Sequence, residues 1–174
     1  MKTLRVSPNI GIGLLKLGMS PNQVLAAIKT ECCDLMVPAK DIEMSKDKED
    51  DGYTLRYITN SFFFMVRYRN DRAIEISVDR ELGKAMNVAL YDIDVFNTQA
   101  EEVVDCLKQF SKCSYDAEDE QLSTNYEFDD IGIRLWREEP FHKKLLSDKA
   151  YMEQMDMVIE DMYRYLYFDI VTVK

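Results

Sequence analysis

The run "FFFMVRYR" (62–69) alternates with a period of two. Successive side chains of a strand point to opposite faces, so Phe62, Phe64, Val66 and Tyr68 share one face, and Phe63, Met65, Arg67 and Arg69 share the other. "YTLRYI" before it and "AIEISV" after it read as neighbouring strands. Asn70-Asp71 between the last two suits the positive φ angles of a tight hairpin turn. Upstream, Ser20 with Gln23 forms a capping box with Pro21 at the first helical position, and Val24, Leu25 and Ile28 share the helical face that follows. The polar "DKEDDG" (47–52) reads as an exposed loop.

A second round of the same kind starts at "NVALYDID", read as a strand. Thr98 and Glu101 form another capping box, and Val103, Val104 and Leu107 repeat the spacing of Val24, Leu25 and Ile28. An acidic loop, "DAEDE" (116–120), leads to "STNYEF" and "GIRLWRE", a hairpin around Asp129-Asp130. There Ile133 and Leu135 share one face, and Arg134 and Trp136 the other. The order suggests a tandem duplication. From Ser147, Met152, Met155, Ile159, Met162 and Leu166 recur three and four apart, which predicts one long helix, and "YFDIVTV" reads as a closing strand. The expected fold is therefore α+β in a single domain, 1–174. It has an antiparallel sheet from two tandem helix-plus-strands units (10–80 and 87–137), then a long C-terminal helix and closing strand (141–174).

Composition narrows the function. With 47% apolar and 31% charged residues, the chain can bury a sizeable core. Its net charge of -10 is uneven: residues 1–40 carry +3, 41–80 carry -2, 81–120 carry -7 and 121–174 carry -4. Phosphate backbones are disfavoured as partners, whereas a basic protein surface would be attracted. No apolar run suits a membrane span or a secretory leader. Cys32, Cys33, Cys106 and Cys113 form no zinc or redox motif, so a cytoplasmic protein with free thiols is expected.

No catalytic, metal or cofactor signature emerges. Asp47, Glu49, Asp51 and Gly52 imitate a calcium loop, but its twelfth position is Ile58 rather than a bidentate glutamate. Gly11, Gly13 and Gly18 lack the dinucleotide spacing. His142, the only histidine, reads as a surface residue. What survives is the face of both hairpins that mixes arginine with large apolar groups: Phe63, Met65, Arg67, Arg69, Arg134 and Trp136. Aromatic residues, methionine and arginine are enriched where proteins meet. The acidic loop residues Asp116, Glu118, Asp119 and Glu120 join them as candidate contacts for a basic partner.

"LGMSPNQVL", followed by strand-rich sequence, resembles the units of the β-lactamase-inhibitor-protein-like fold, which implies tandem units gripping a target with a sheet face. "IGIRLWREEPFHKKLL" and the terminal "YLYFDIVTV" look like small bacterial cytoplasmic immunity proteins of contact-dependent and related toxin loci. The resemblance implies no enzyme and no cofactor. It implies a binding protein that neutralises a toxin domain with a basic surface. A regulatory or small-ligand-binding module is the alternative reading. An enzyme with His142 and C-terminal acids lining a cleft is the third.

Overall fold

Residues 2–33 and 41–174 are described in the computed structural model, and their arrangement is mostly β. In chain order the elements are β1 (Thr3–Ser7), β2 (Gly11–Ile12), β3 (Leu15–Lys16), α1 (Pro21–Cys33), β4 (Glu43–Glu49), β5 (Gly52–Ile58), β6 (Phe63–Arg69), β7 (Arg72–Asp79), β8 (Asn87–Leu90), β9 (Ile93–Asp94), α2 (Ala100–Leu107), β10 (Ser114–Tyr115), β11 (Asn125–Phe128), β12 (Ile133–Trp136), α3 (Lys149–Met155), α4 (Ile159–Met162) and β13 (Ile170–Val173). A small sheet has the order β3-β2-β1-β8-β9, and a large antiparallel sheet the order β10-β11-β12-β13-β7-β6-β5-β4. In the small sheet β1 and β8 run parallel, Thr3 opposite Asn87.

The core lies between the inner face of the large sheet, the small sheet and the first two helices. Phe64, Val66, Val78, Leu135 and Val171 come from the large sheet, Leu4, Ile12 and Val88 from the small one, and Val24, Ile28, Val103 and Leu107 from the helices. Ser20 behaves as its capping box requires: Gln23 Oε1 accepts from the Ser20 N–H at 2.9 Å. The last turn of α1 is tied down by Glu31, which pairs with Lys2 at 2.7 Å and accepts from the Leu14 N–H at 2.9 Å. Gly13, at φ +55°, is required beside it, because a Cβ there would sit 2.4 Å from Glu31 Oε1. Asn70 and Asp71 both take positive φ, 51° and 54°, as the hairpin demands.

The expected α+β fold with a long C-terminal helix does not hold: the chain is mostly β, in two sheets, with short helices. The apolar stripe from Met152 to Leu166 is interrupted at 156–158, where Val158 leaves helical geometry (φ -127°, ψ 0°) and its N–H bonds Met155 O three residues back, at 2.8 Å. Met152, Met155, Ile159 and Met162 are only half-buried, and Met157 is 97% exposed. Without a continuous surface to bury against, periodicity alone does not hold one helix together. Asp148 rather than Ser147 caps α3, accepting from the N–H groups of Ala150 and Tyr151. Thr98 caps nothing; Gln99 stands at the N-cap of α2 without a side-chain bond. The "DKEDDG" loop is corrected as well. β4 runs to Glu49, and only Asp50-Asp51 turns, with Glu49 paired to Gly52.

The closing strand is present, at an unexpected place. β13 lies between β12 and β7, with Leu135 opposite Val171 and Val171 opposite Val78. It joins the two antiparallel runs into one sheet, and Ser77 and Thr172 share a hydroxyl hydrogen bond of 2.8 Å across that seam.

Candidate functional site: the outer face of the large sheet

The alternation expected along β6 and β12 is realised. Phe62, Phe64, Val66, Tyr68, Ile133 and Leu135 are buried, whereas Phe63, Met65, Arg67 and Arg134 stay half-exposed and Arg69 and Trp136 exposed. Because β13 is inserted, residues from both hairpins fall in one row on this outer face. Trp136 is opposite Ile170, Ile170 is opposite Asp79, and the Phe63 N–H donates to the Asp79 carboxylate at 3.2 Å. Here the sheet is hollowed into an open groove of about 450 Å³ with Phe63, Ile170 and Trp136 as its apolar surface.

The groove's rim is ionic and mostly self-paired. Arg80 donates to Asp169 (3.2 Å) and to the Arg164 carbonyl (2.7 Å). Lys84 pairs with Glu81 at 2.6 Å and Arg164 with Glu138 at 2.5 Å. Asp79 differs. It is 8% exposed and, among the described residues, pairs with no cation. Burial pushes its carboxyl up to about 6, the nearby Glu81 adds to this, and the Phe63 N–H opposes it.

The arginines of this face are not free contacts. A ladder of charge crosses the strands: Arg67 pairs with Glu49 (2.6 Å) and Glu75 (3.4 Å), Arg134 with the same Glu75 (2.8 Å) and with Glu127 (3.9 Å), and Lys174 closes on Glu127. Arg69 pairs with Asp51. Such exposed pairs contribute about 0–1 kcal/mol each to stability, but a partner must displace them to use the guanidinium groups. Met65 sits on the same face, in a second hollow beside Arg67 and Glu75.

The acidic loop lies elsewhere. Glu120 pairs with Lys108 of the segment after α2 at 2.7 Å, and its carbonyl accepts from the hydroxyl of inward-facing Tyr126. That holds Glu120 on the core side of the sheet edge. Asp116 accepts from the Thr124 N–H (2.9 Å) and hydroxyl (2.7 Å) and the Asn125 N–H (3.1 Å). Partial burial raises its carboxyl, but the hydrogen bonds from Thr124 and Asn125 prevail and hold it below the usual range. Asp119 accepts from the Gln121 N–H at 2.9 Å. Glu118 is exposed and, among the described residues, has no partner. Asp116→Ala is therefore expected to lower stability in urea unfolding by about 1–2 kcal/mol. Glu118→Ala should stay within about 0.5 kcal/mol of wild type. Equal effects would show that Asp116 does not organise the loop.

Two buried polar groups run against the sequence reading, one that drew no notice and one expected on the surface. Arg137, fully buried, donates to the carbonyls of Ser123 (3.1 Å), Phe141 (2.9 Å) and Gln121 (3.0 Å) and to the Tyr126 hydroxyl (2.8 Å). His142 is buried rather than on the surface. Its Nδ1 accepts from the Lys144 N–H at 3.2 Å, and burial lowers its pKa against the opposing pull of Glu101.

Among the described residues no cluster of three or more His, Cys, Asp or Glu could hold a metal, and no helix is long and apolar enough to cross a membrane. The four cysteines are free thiols. Cys33 is exposed, Cys32 is buried, and burial pushes the half-buried Cys113 thiol up to about 11. Since the thiolate is the nucleophile, alkylation of the folded protein near pH 8 should modify Cys33 first, with Cys32 and Cys113 lagging. Uniform labelling, read by mass spectrometry, would contradict this. Comparison with protein families, with curated proteins and with solved structures gives no match to this chain.

Proposed function

We propose that this chain is a cytoplasmic binding protein that neutralises a bacterial toxin or other enzyme by direct protein contact, as its resemblance to immunity proteins implies. The observation that supports it is the row Trp136–Ile170–Asp79–Phe63. There an exposed tryptophan and a half-exposed phenylalanine are held on a rigid sheet beside a buried, unpaired carboxylate. Tryptophan is among the residues enriched as binding anchors, and strands hold such groups more firmly than loops do. The contact is proposed to be made by the groove. Met65 and the ion-paired Arg67, Arg69 and Arg134 form its surround, and Glu118 steers a basic partner from a distance.

The test is to look for a toxin domain encoded beside this chain's gene and to co-express the two. Rescued growth and a stable complex on size exclusion are expected. A toxin that stays active and elutes separately overturns the reading.

A further inference from the structure

The groove has a chemical asymmetry that points to what enters it. Three cations line its rim, and each already holds a carboxylate: Arg80 with Asp169, Lys84 with Glu81, and Arg164 with Glu138. The fourth carboxylate, Asp79, lies in the middle of the row and, among the described residues, has no cation of its own. Its neighbours along that row are apolar, Ile170 opposite it and Phe63 beside it, with Trp136 beyond Ile170. A buried carboxylate without a counter-charge destabilises a fold. It is also what a ligand's cation would satisfy.

We propose that the groove receives one arginine side chain of the partner protein, its aliphatic stem over Ile170, its guanidinium against Trp136 and hydrogen-bonded to Asp79. The arrangement rests on the binding-protein reading and specifies the partner's chemistry at that site. An arginine suits it because its stem is apolar, its planar head stacks on aromatic faces, and the same head pairs with carboxylates in two-point fashion. The groove is wide enough for a side chain that approaches from solvent, and the Asp79 carboxylate repels an acidic one. The partner's arginine brings the counter-charge that the fold withholds. Neutral forms of Asp79 cannot pair with it, and burial has already moved this carboxyl towards neutrality. Binding should therefore weaken as pH falls below about 6. The charged groups that face Asp79 are the three rim pairs, Arg80–Asp169, Lys84–Glu81 and Arg164–Glu138.

Trp136 is the only tryptophan in the chain, so its fluorescence reports this groove directly. The probes are three capped tripeptides, Ala-X-Ala, with X arginine, norleucine or glutamate. The arginine peptide should give a saturable change in Trp136 emission at millimolar concentrations, with at least tenfold weaker binding by norleucine and none by glutamate. Asp79→Asn keeps an oxygen for the Phe63 N–H and should reduce the arginine peptide to the norleucine level. Should that variant melt early, the wild-type titration at pH 5 against pH 7.5 serves instead, with at least a fivefold loss expected at the lower pH. Equal binding of arginine and norleucine, an unchanged affinity in Asp79→Asn, or no response to any peptide overturns the arginine slot. If Trp136→Ala abolishes toxin binding while Asp79→Asn does not, the slot fails and the binding-protein reading stands. If the arginine peptide binds and the toxin domain does not, the reverse holds.

Discussion

Arg137→Met should lower the melting temperature of the folded protein by about 6–20 °C. The side chain is buried, and its guanidinium ties together the carbonyls of Gln121, Ser123, Phe141 and, at 3.5 Å, Tyr165, with the Tyr126 hydroxyl and, at 3.8 Å, the Glu101 carboxylate. Methionine fills similar space and takes the guanidinium donors away from those carbonyls, of which Ser123 keeps the Tyr126 hydroxyl. Removing one partner from a buried charged network costs about 3–5 kcal/mol, and a chain of this size loses roughly 2–4 °C per kcal/mol. Three of these carbonyls belong to the segment after the acidic loop and to the turn at Phe141, so the loss should reach both. Arg137→Lys should recover little, because an ammonium cannot span the same acceptors. A calorimetric shift of less than about 3 °C for the methionine variant would mean that water satisfies the carbonyls instead.

Trp136→Ala should do the opposite: leave melting nearly unchanged and remove binding. At 36% exposure on the outer face, the indole supports little of the core, so the expected stability cost is about 1 kcal/mol, well below the ~3–5 kcal/mol of a core tryptophan. Truncating a desolvated anchor typically costs about 2–4 kcal/mol of affinity, or roughly 30- to 1000-fold. Titration calorimetry with the toxin domain and a parallel thermal melt separate the two quantities in one variant. A protein that melts far earlier, or one that melts normally and binds at wild-type strength, would remove Trp136 from the contact.

The facing of β6 and β12 was legible in the sequence because a period of two needs no knowledge of neighbours. Phe64, Val66, Ile133 and Leu135 are inside and Trp136 is outside, as the alternation requires. The start of α1 was legible because Ser20 and Gln23 act locally. What failed depended on context. The stripe from Met152 to Leu166 has helical spacing, yet a stripe records which residues could share a face, not whether a surface exists to receive it. β4 looks partly like a loop in sequence because its side chains are exposed throughout; its strand character comes from backbone pairing to β5, and its alternating charges suit an unpaired edge. The groove could not be foreseen at all. Phe63 and Trp136 share it only because β13 joins β12 to β7, the neighbour of β6, and Asp79 carried no signal beyond ending a hydrophobic run.

That inserted strand also governs how the chain must fold. Ser77 and Thr172, hydrogen-bonded across the seam, are 95 positions apart in sequence. Until residues 170–173 dock, β7 and β12 each expose a bare edge, and neither antiparallel run can complete its pairing. Long-range pairing of this kind has a high entropic cost of loop closure before any contact repays it, so folding is expected in the slow, millisecond-to-second class of β proteins. During that interval the two open edges are templates for pairing with other copies. Deleting 170–173 should therefore yield aggregate rather than a shortened soluble domain.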